Sequence, residues 1–455
     1  MGAGPLNFAP VDEFCRQLYL EHLEEASFLY NSYLAWRNDP EITWRDLQDL
    51  EDRLDAHIFA LTSGGDAAKQ TCLKHLSKAD SGEIYAIARF FCQAHDGQCI
   101  SLLWETLLKG IDDELEEESE EYDKVTAAAR ALRQDYPQEW RIKLAAILET
   151  THHKLFPIIA SAVAITRKMS DKGAKNLLEN MPSPFLSSAL ENVAENHTTS
   201  HAKLLYPLLE HDSNAVRQLA AVGMLRLGET HVLPQLLNQP LVFAIPIALA
   251  GIRQQMQIVL QAINKKELNI DLIAALGISG DLRAVNFLLP ALADDELAYH
   301  AAHALNLLVG ANLYEEAFHE ERFFEEDLFD HEIADFKNGK SPQHPGGRPY
   351  GENIEQLSRD PAKWRQWMLD NESRFDPALR YRYGEPACPQ TIGRSLASPR
   401  TPDFLRRWIQ YELCIRFGLG APFSVENPVK QQYRQLSGIA QWVQEHGSAH
   451  TPGQW

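Results

Sequence analysis

AVRQLAAVGMLRLGET, residues 215–230, sets two alanines before a spaced apolar triplet, then closes on a glycine and an acid. The arrangement returns as LIAALGISGD (272–281), more loosely as AAHALNLLVG (301–310) and in degenerate form as IPIALAGI (245–252). Alignment puts Met224, Leu249, Leu276 and Leu305 in register, at steps of 25, 27 and 29 residues. Each copy is followed by a second apolar stretch, such as HVLPQLL, QIVLQAI or RAVNFLLPAL. The unit is a helix, a tight glycine turn and a second helix, repeated. Small residues such as Ala220 and Ala221 let neighbouring helices approach, and leucine and valine fill the layer between them. Gly228 and Gly280 end the first helices, where a left-handed backbone costs glycine little. One hairpin cannot bury both of its faces, so adjacent units must stack.

Working outward, FLSSALENVAEN and LFPIIASAVAITRK read as weaker members, and GEIYAIARFF marks a possible start near residue 80. At the N-terminus, Leu47, Leu50, Leu54, Ile58 and Leu61 form one helical stripe opened by Thr43 and Asp46. The preceding YLEHLEEASFLYNSYLAW has an apolar face of its own, so the two predict a helical hairpin turning at Pro40. The acidic run DDELEEESEEYD, from Asp112, reads as a solvated face or loop. After Leu313 the chain turns acidic and aromatic. NGKSPQHPGGRPYGEN then holds three prolines and four glycines in sixteen residues, which reads as a linker or surface loop. Beyond it, TPDFLRRWIQYELCIRFG predicts a helix with Thr401 as N-cap and Pro402 at its first position. Helical periodicity dominates, and strand-type alternation is hard to find. The expected class is all-α: an α-solenoid of short HEAT-like helical hairpins with an N-terminal helical hairpin and a C-terminal helical extension. The segments are an N-terminal helical region (1–80), the solenoid (81–315), an acidic stretch with a Gly/Pro-rich linker (316–353) and a C-terminal helical region (354–455).

The 455 residues carry a formal charge of −20, unevenly spread. Residues 354–455 hold 13 Lys/Arg against 10 Asp/Glu, a net +3, which leaves −23 on the first 353. That balance opposes a nucleic-acid partner, which needs clustered cations, and with it a helical-repeat glycosylase. It suits a soluble acidic surface, a basic protein partner, or docking of the C-terminal part on the acidic part. The cysteines at 15, 72, 92, 99, 388 and 414 form no CxxC or zinc spacing and suit reduced thiols in a cytoplasm. MGAGPLNFAP lacks a basic, apolar signal sequence, and Leu6 fails the myristoylation pattern. The longest apolar run, LVFAIPIALAGI, is too short to span a bilayer, so no membrane insertion is expected.

Motifs for chemistry are few. No P-loop or dinucleotide fingerprint occurs, and GISG (277–280) lacks the fifth-position glycine of a nucleophile elbow. Deoxyhypusine hydroxylase holds two irons with His-Glu pairs on successive helical repeats. Here His319-Glu320 and His331-Glu332 lie after the repeats, outside their helices. His300 and His303 are three apart on a repeat helix and share a face, but lack further ligands in sequence. His152-His153 has no acidic companion at the fourth position onward. No catalytic, metal or cofactor-binding residue is nominated, and no cofactor is expected.

The N-terminal EHLEEASFL (21–29) and DLQDLEDRLDAHI (46–58), with Glu24, Glu25, Arg53 and His57 as polar positions, carry a likeness together with blocks further on. Those blocks are GEIYAIARFF, the AAVGMLRLGE repeats, LLVGANLYEEAF, Trp367-x₃-Asn371-x₂-Arg374-Phe375, RYRYGEP (380–386), FLRRWIQYEL and PVKQQY. Over most of its length the chain resembles a family of uncharacterised proteobacterial HEAT-repeat proteins, often encoded near type VI secretion genes beside spike and PAAR-type tip proteins. The DDELEEESEEYD insertion and loose repeats between 125 and 200 depart from the family pattern. The resemblance implies a secretion-associated accessory role and supplies no catalytic residues.

The expectation is therefore a cytoplasmic, non-enzymatic scaffold for a protein partner, a spike or tip component or an effector. It would act as adaptor or chaperone, with an immunity protein as a variant. Candidate contact residues are Glu24, Glu25, Arg53 and His57 at one end, and Arg380, Tyr381, Tyr383, Arg406 and Arg407 in the C-terminal part. Glu24 or Glu25 could instead pair with Arg53 across the hairpin, and the RYRY block could simply close the solenoid's end. The alternative is a HEAT-scaffold enzyme, bilin-lyase-like or metal-dependent, since AAxALGxLGD-type repeats also occur in bilin lyases.

Overall fold

The computed structural model describes residues 9–37, 39, 42–110, 119–141, 169–181, 185–195, 199–264, 267–321, 323 and 328–455. The acids at 112–118, His152-His153 and the stretch 155–168 lie outside these, as does the side chain of His331. Among the described residues the fold is mostly helical, with two short antiparallel strand pairs.

Helices α1 (Ala9–Arg37) and α2 (Leu47–Ser63) form the expected hairpin. The stripe Leu47, Leu50, Leu54, Ile58 and Leu61 is buried, and Asp46 Oδ2 accepts from both the N–H and the hydroxyl of Thr43. After α3 (Gly65–His75), α4 (Ser81–Gln93) opens on a full capping box. The Asp80 carboxylate accepts from Glu83 N–H at 2.7 Å, and the Glu83 carboxylate accepts from Asp80 N–H at 2.9 Å. This helix is buried nearly all round, between α1 and α6 (Glu120–Asp135). Its Gly82 rests on α1, where a Cβ would fall 2.7 Å from Ser27 Cα. Helix α5 (Gly97–Gly110) precedes α6, whose first turn carries Glu120, Glu121 and Asp123 at the positive end of the helix dipole.

The repeated units follow. The helices in order are α7 (Asp171–Asn180), α8 (Leu186–Glu195), α9 (Ala202–Leu205), α10 (Asn214–Arg226), α11 (Leu233–Leu236), α12 (Ala244–Ala250), α13 (Arg253–Ala262), α14 (Ile270–Ser279), α15 (Val285–Ala291) and α16 (Ala298–Val309). The even-numbered members α8, α10, α12, α14 and α16 each pack on the next, while shorter helices and 3₁₀ turns carry the returns. Met224, Leu249, Leu276 and Leu305, aligned from sequence, are all at most 2 % exposed. Gly277 lets two backbones close in: a Cβ there would stand 3.0 Å from Ala304 Cα on α16. Gly228 and Gly280 adopt left-handed backbone at the turns, with φ of +89° and +72°.

The region expected to be a linker begins and ends in a ribbon. Strand β1 (Tyr314–Glu320) pairs antiparallel with β2 (Gly351–Leu357), from Tyr314↔Leu357 to Glu320↔Gly351, with helix α17 (Asp330–Lys337) between them. The local pattern hid this because charged residues occupy both strands and the partners are 31 to 43 residues apart. Helix α18 (Pro361–Asp370) and a minimal pair, β3 (Tyr381–Arg382) with β4 (Glu385–Pro386), lead to α19 (Pro389–Ala397), α20 (Asp403–Phe417) and α21 (Val429–His446). Helix α20 begins with Pro402 as N-cap rather than Thr401, whose hydroxyl donates instead to Ser395 O at 2.7 Å.

The C-terminal part returns to the rest of the chain. Helix α20 crosses α10, α12 and α14, so the face these helices share is covered by the chain itself. Helix α21 reaches α2, where Val429 N–H donates to the Glu51 carboxylate at 2.8 Å. Arg37, ending α1, binds Glu426 at 2.6 Å and Asp403 at 3.3 Å. Among the described residues no helix is long and apolar enough to cross a membrane.

Burial pushes the Glu51 carboxyl up to about 7, only partly offset by the Val429 N–H. A carboxyl whose folded pKa is raised supports the fold when protonated. That contribution is full below the unfolded value of ~4.3 and is lost as pH rises through 7. Glu51→Gln keeps an acceptor for Val429 and removes the charge. It should be more stable than wild type at pH 8, with the difference vanishing by about pH 4, as followed by urea midpoints across pH.

Candidate functional site: a buried clasp and two cavities

The last turn of a helix leaves carbonyls without intrahelical donors, at the negative end of its dipole. Here the C-terminal part supplies those donors. Arg380 Nε donates to Ser279 O at 2.7 Å, and Arg382 Nη2 to Ile278 O at 2.9 Å, closing the end of α14. Arg416 Nη2 donates to Ala248 O and Gly251 O at 3.2 and 2.8 Å, closing α12. The backbone joins in: Tyr381 N–H meets Gly280 O at 2.9 Å, while Tyr383 and Gly384 N–H meet Leu307 O and Leu308 O of α16 at 2.6 and 3.1 Å. The turn glycines fit this clasp closely. A Cβ on Gly310, at φ +63°, would fall 2.3 Å from Tyr383 O.

One carboxylate balances the three arginines. Glu412, fully buried on α20, accepts from Arg380 at 2.5 Å and Arg382 at 2.6 Å, with Arg416 at 4.0 Å. Burial alone would push the Glu412 carboxyl up, but Arg382, Arg380 and Arg416 hold it below its usual range. Burial lowers the Arg382 and Arg416 guanidiniums, and the carbonyl ends of α12 and α14 supply the rest of the negative field.

This geometry corrects part of the expected contact set. Arg380, Tyr381 and Arg406 are at most 2 % exposed, so none offers itself to a partner. Arg406 donates to Leu396 O at 3.0 Å, closing α19, and to Asp403 and Gln432 at 2.8 Å each. Its guanidinium lies 4.1 Å from the Trp44 ring centroid. Tyr383 is half-buried with its hydroxyl 2.6 Å from Thr401 Oγ1, and the partly exposed Arg407 is paired with Glu191. The Trp367–Phe375 motif is local scaffolding. Asn371 donates to Trp367 O at 2.8 Å, Arg374 donates to Asn371, and Phe375 packs edge-on against Tyr381 at 5.0 Å. At the other end, Glu24, Glu25 and Arg53 are exposed, while His57 is half-buried. His57 faces His22, their Nδ1 atoms 3.1 Å apart. Burial and the His22 charge lower its pKa, against an upward pull from Glu25.

Two cavities flank the Arg37–Glu426 pair, which lines both. The larger, about 840 Å³, lies between the α1–α2 connection, α16, β2 and residues 399–404. All six residues from Glu352 to Leu357 line it, so β2 runs along one wall, with Trp36, Trp44, Tyr299 and Phe404 across. His300 and His303 sit at its edge. Burial lowers both, His303 to about 3, so His303 is neutral at ordinary pH. Among the described residues no group of three or more His, Cys, Asp or Glu is placed to hold a metal ion. The smaller cavity, about 340 Å³, is lined by Arg130, Arg133, Arg407 and a set of tyrosines. Sequence reasoning passed over α6, although Tyr122, Thr126, Arg130 and Arg133 repeat at helical spacing on one face.

No protein-family model matches the chain, and no curated protein or solved structure matches it significantly.

Removing Glu412 strands buried guanidiniums without a counter-charge. Glu412→Ala should cost about 3–5 kcal/mol in urea unfolding. Glu426→Ala should cost less, because that carboxylate is 40 % exposed and its largely buried partner Arg37 keeps Asp403.

Proposed function

We propose that the chain is a non-enzymatic, HEAT-like α-solenoid scaffold that holds a protein partner, in an adaptor or effector-chaperone role associated with type VI secretion. An immunity protein that masks a toxin is a variant of the same reading. The support for a solenoid is the serial packing of α8, α10, α12, α14 and α16. The support for the secretion role is the family resemblance of the sequence.

The partner's place follows from what is already covered. Because α20 fills the face shared by α10, α12 and α14, the open surface is the 840 Å³ cleft. The observation that carries the reading is β2, which among the described residues pairs with β1 on one side only while its residues line that cleft. An open strand edge receives an extended segment by main-chain hydrogen bonds, with pockets choosing alternate side chains. Asp39, Glu352, Glu355, Asp403 and Glu426 outnumber Arg37, Arg130 and Arg400 in the lining, a mild acidic excess that suits a basic extended segment.

Affinity capture from the native host, with mass spectrometry of co-purifying proteins, tests this. Wild type should recover a secretion component or effector, and Glu352→Lys with Gln356→Lys should reduce its recovery at least about tenfold. Equal recovery by the variant would remove the cleft from the reading, and a capture without any such protein would remove the secretion role.

A further inference from the structure

The smaller cavity carries a second, independent assignment. It lies where α1, α6, α8 and α20 converge with residues 423–426. Four arginines line it, Arg37, Arg130, Arg133 and Arg407, against two carboxylates, Glu191 and Glu426. Both carboxylates are already engaged, Glu426 by Arg37 and Glu191 by Arg407. Among the described residues Arg130 and Arg133 make no direct ion pair and share the field of Glu426 with Arg37, so four guanidiniums face two carboxylates inside a chain whose formal charge is −20.

The hydrogen-bonding account has the same sign. Arg133 Nε and Thr126 Oγ1 are both buried and lack any hydrogen-bond partner. Arg130 donates only weakly, to Tyr30 Oη at 3.2 Å. Thr126, Arg130 and Arg133 stand four and three residues apart on α6, so one helix face presents them together. An arginine can only donate, and a buried donor left unmade costs free energy. A cavity with surplus positive charge and surplus donors is complementary to an oxyanion, which the planar guanidinium fork matches. The walls are flat: Tyr30 stacks on Tyr85 at 4.2 Å and Tyr122 on Phe185 at 5.1 Å.

We propose that this cavity is a binding site for a small organic oxyanion, a carboxylate or phosphate on an aromatic body. The oxyanion sits between Arg130, Arg133 and Thr126, and the ring lies along the tyrosine wall. At about 340 Å³ the cavity falls at the small end of ligand sites and is too small for a folded segment. The assignment uses neither the β2 edge nor a protein partner.

Calorimetric titration of the full chain tests it, with phenyl phosphate, benzoate and inorganic phosphate as probes. Phenyl phosphate or benzoate should bind saturably at one per chain, inorganic phosphate more weakly for want of a ring. Arg130→Gln and Arg133→Gln should each weaken binding about tenfold or more, and rising salt should weaken it further. Thr126→Val, close in shape and safe for folding, should weaken it a few-fold. The bound probe should raise the melting temperature of wild type but not of Arg133→Gln. Absence of saturable heat with both aromatic probes would overturn the assignment. So would wild-type affinity in Thr126→Val together with whichever arginine variants fold.

Discussion

The structure turns on the Glu412 carboxylate and the three guanidiniums around it. Stacked helices end in carbonyl groups, and burying those ends requires donors from elsewhere. The chain meets this with arginines from its own C-terminal part, and one acid on α20 keeps them in place. Hydrogen bonds to helix ends, an ion triad and close glycine contacts thereby depend on one another. Not every donor is used, since Arg382 Nε and Arg416 Nε are buried without a hydrogen-bond partner among the described residues, so the arrangement leans on the shared carboxylate and the carbonyl ends. It also explains why the shared face of α10, α12 and α14 tolerates a helix bearing Glu412 as a fully buried side chain.

Much of the helical plan was readable in advance. Leu47 to Leu61 form a stripe because burial on one face imposes a period near four, and Met224, Leu249, Leu276 and Leu305 are all buried on helices that pack one on the next. Gly228 and Gly280 were identifiable from their place after an apolar run. What escaped was long-range. Arg380 meets Ser279 across 101 residues, and nothing near either position records the partner. Arginines and tyrosines in RYRY and FLRRW look like surface residues by type, yet Arg380, Tyr381 and Arg406 lie in the interior because helix ends need them there. The β1–β2 ribbon escaped for the same reason, since each strand is acidic and short when taken alone.

The candidate sites were the least legible part. The α6 face that lines the smaller cavity combines ordinary residues, and only burial without partners distinguishes Thr126 and Arg133. The exposed Glu24, Glu25 and Arg53 were visible as polar positions, whereas the pairing of His57 with His22 required the hairpin's register. The uneven charge gave a usable hint. A C-terminal part at +3 beside an acidic remainder accords with Lys430 meeting Asp52 and Arg407 meeting Glu191, whereas Arg37 with Glu426 runs the other way.

The closure of the chain's two ends has a kinetic corollary. Arg37 waits for Glu426 across 389 residues, and Glu51 waits for Val429 across 378. During synthesis the N-terminal hairpin therefore emerges minutes or less before its last partners but never alongside them, at roughly 5–20 residues per second. Until α20 leaves the ribosome, the carbonyl end of α12 lacks Arg416 and the face shared by α10, α12 and α14 lacks its covering helix. Such a topology folds slowly for its size, because distant loops must close before their contacts contribute. A truncated product lacking the final helices would be a ready client for chaperones rather than a smaller working protein.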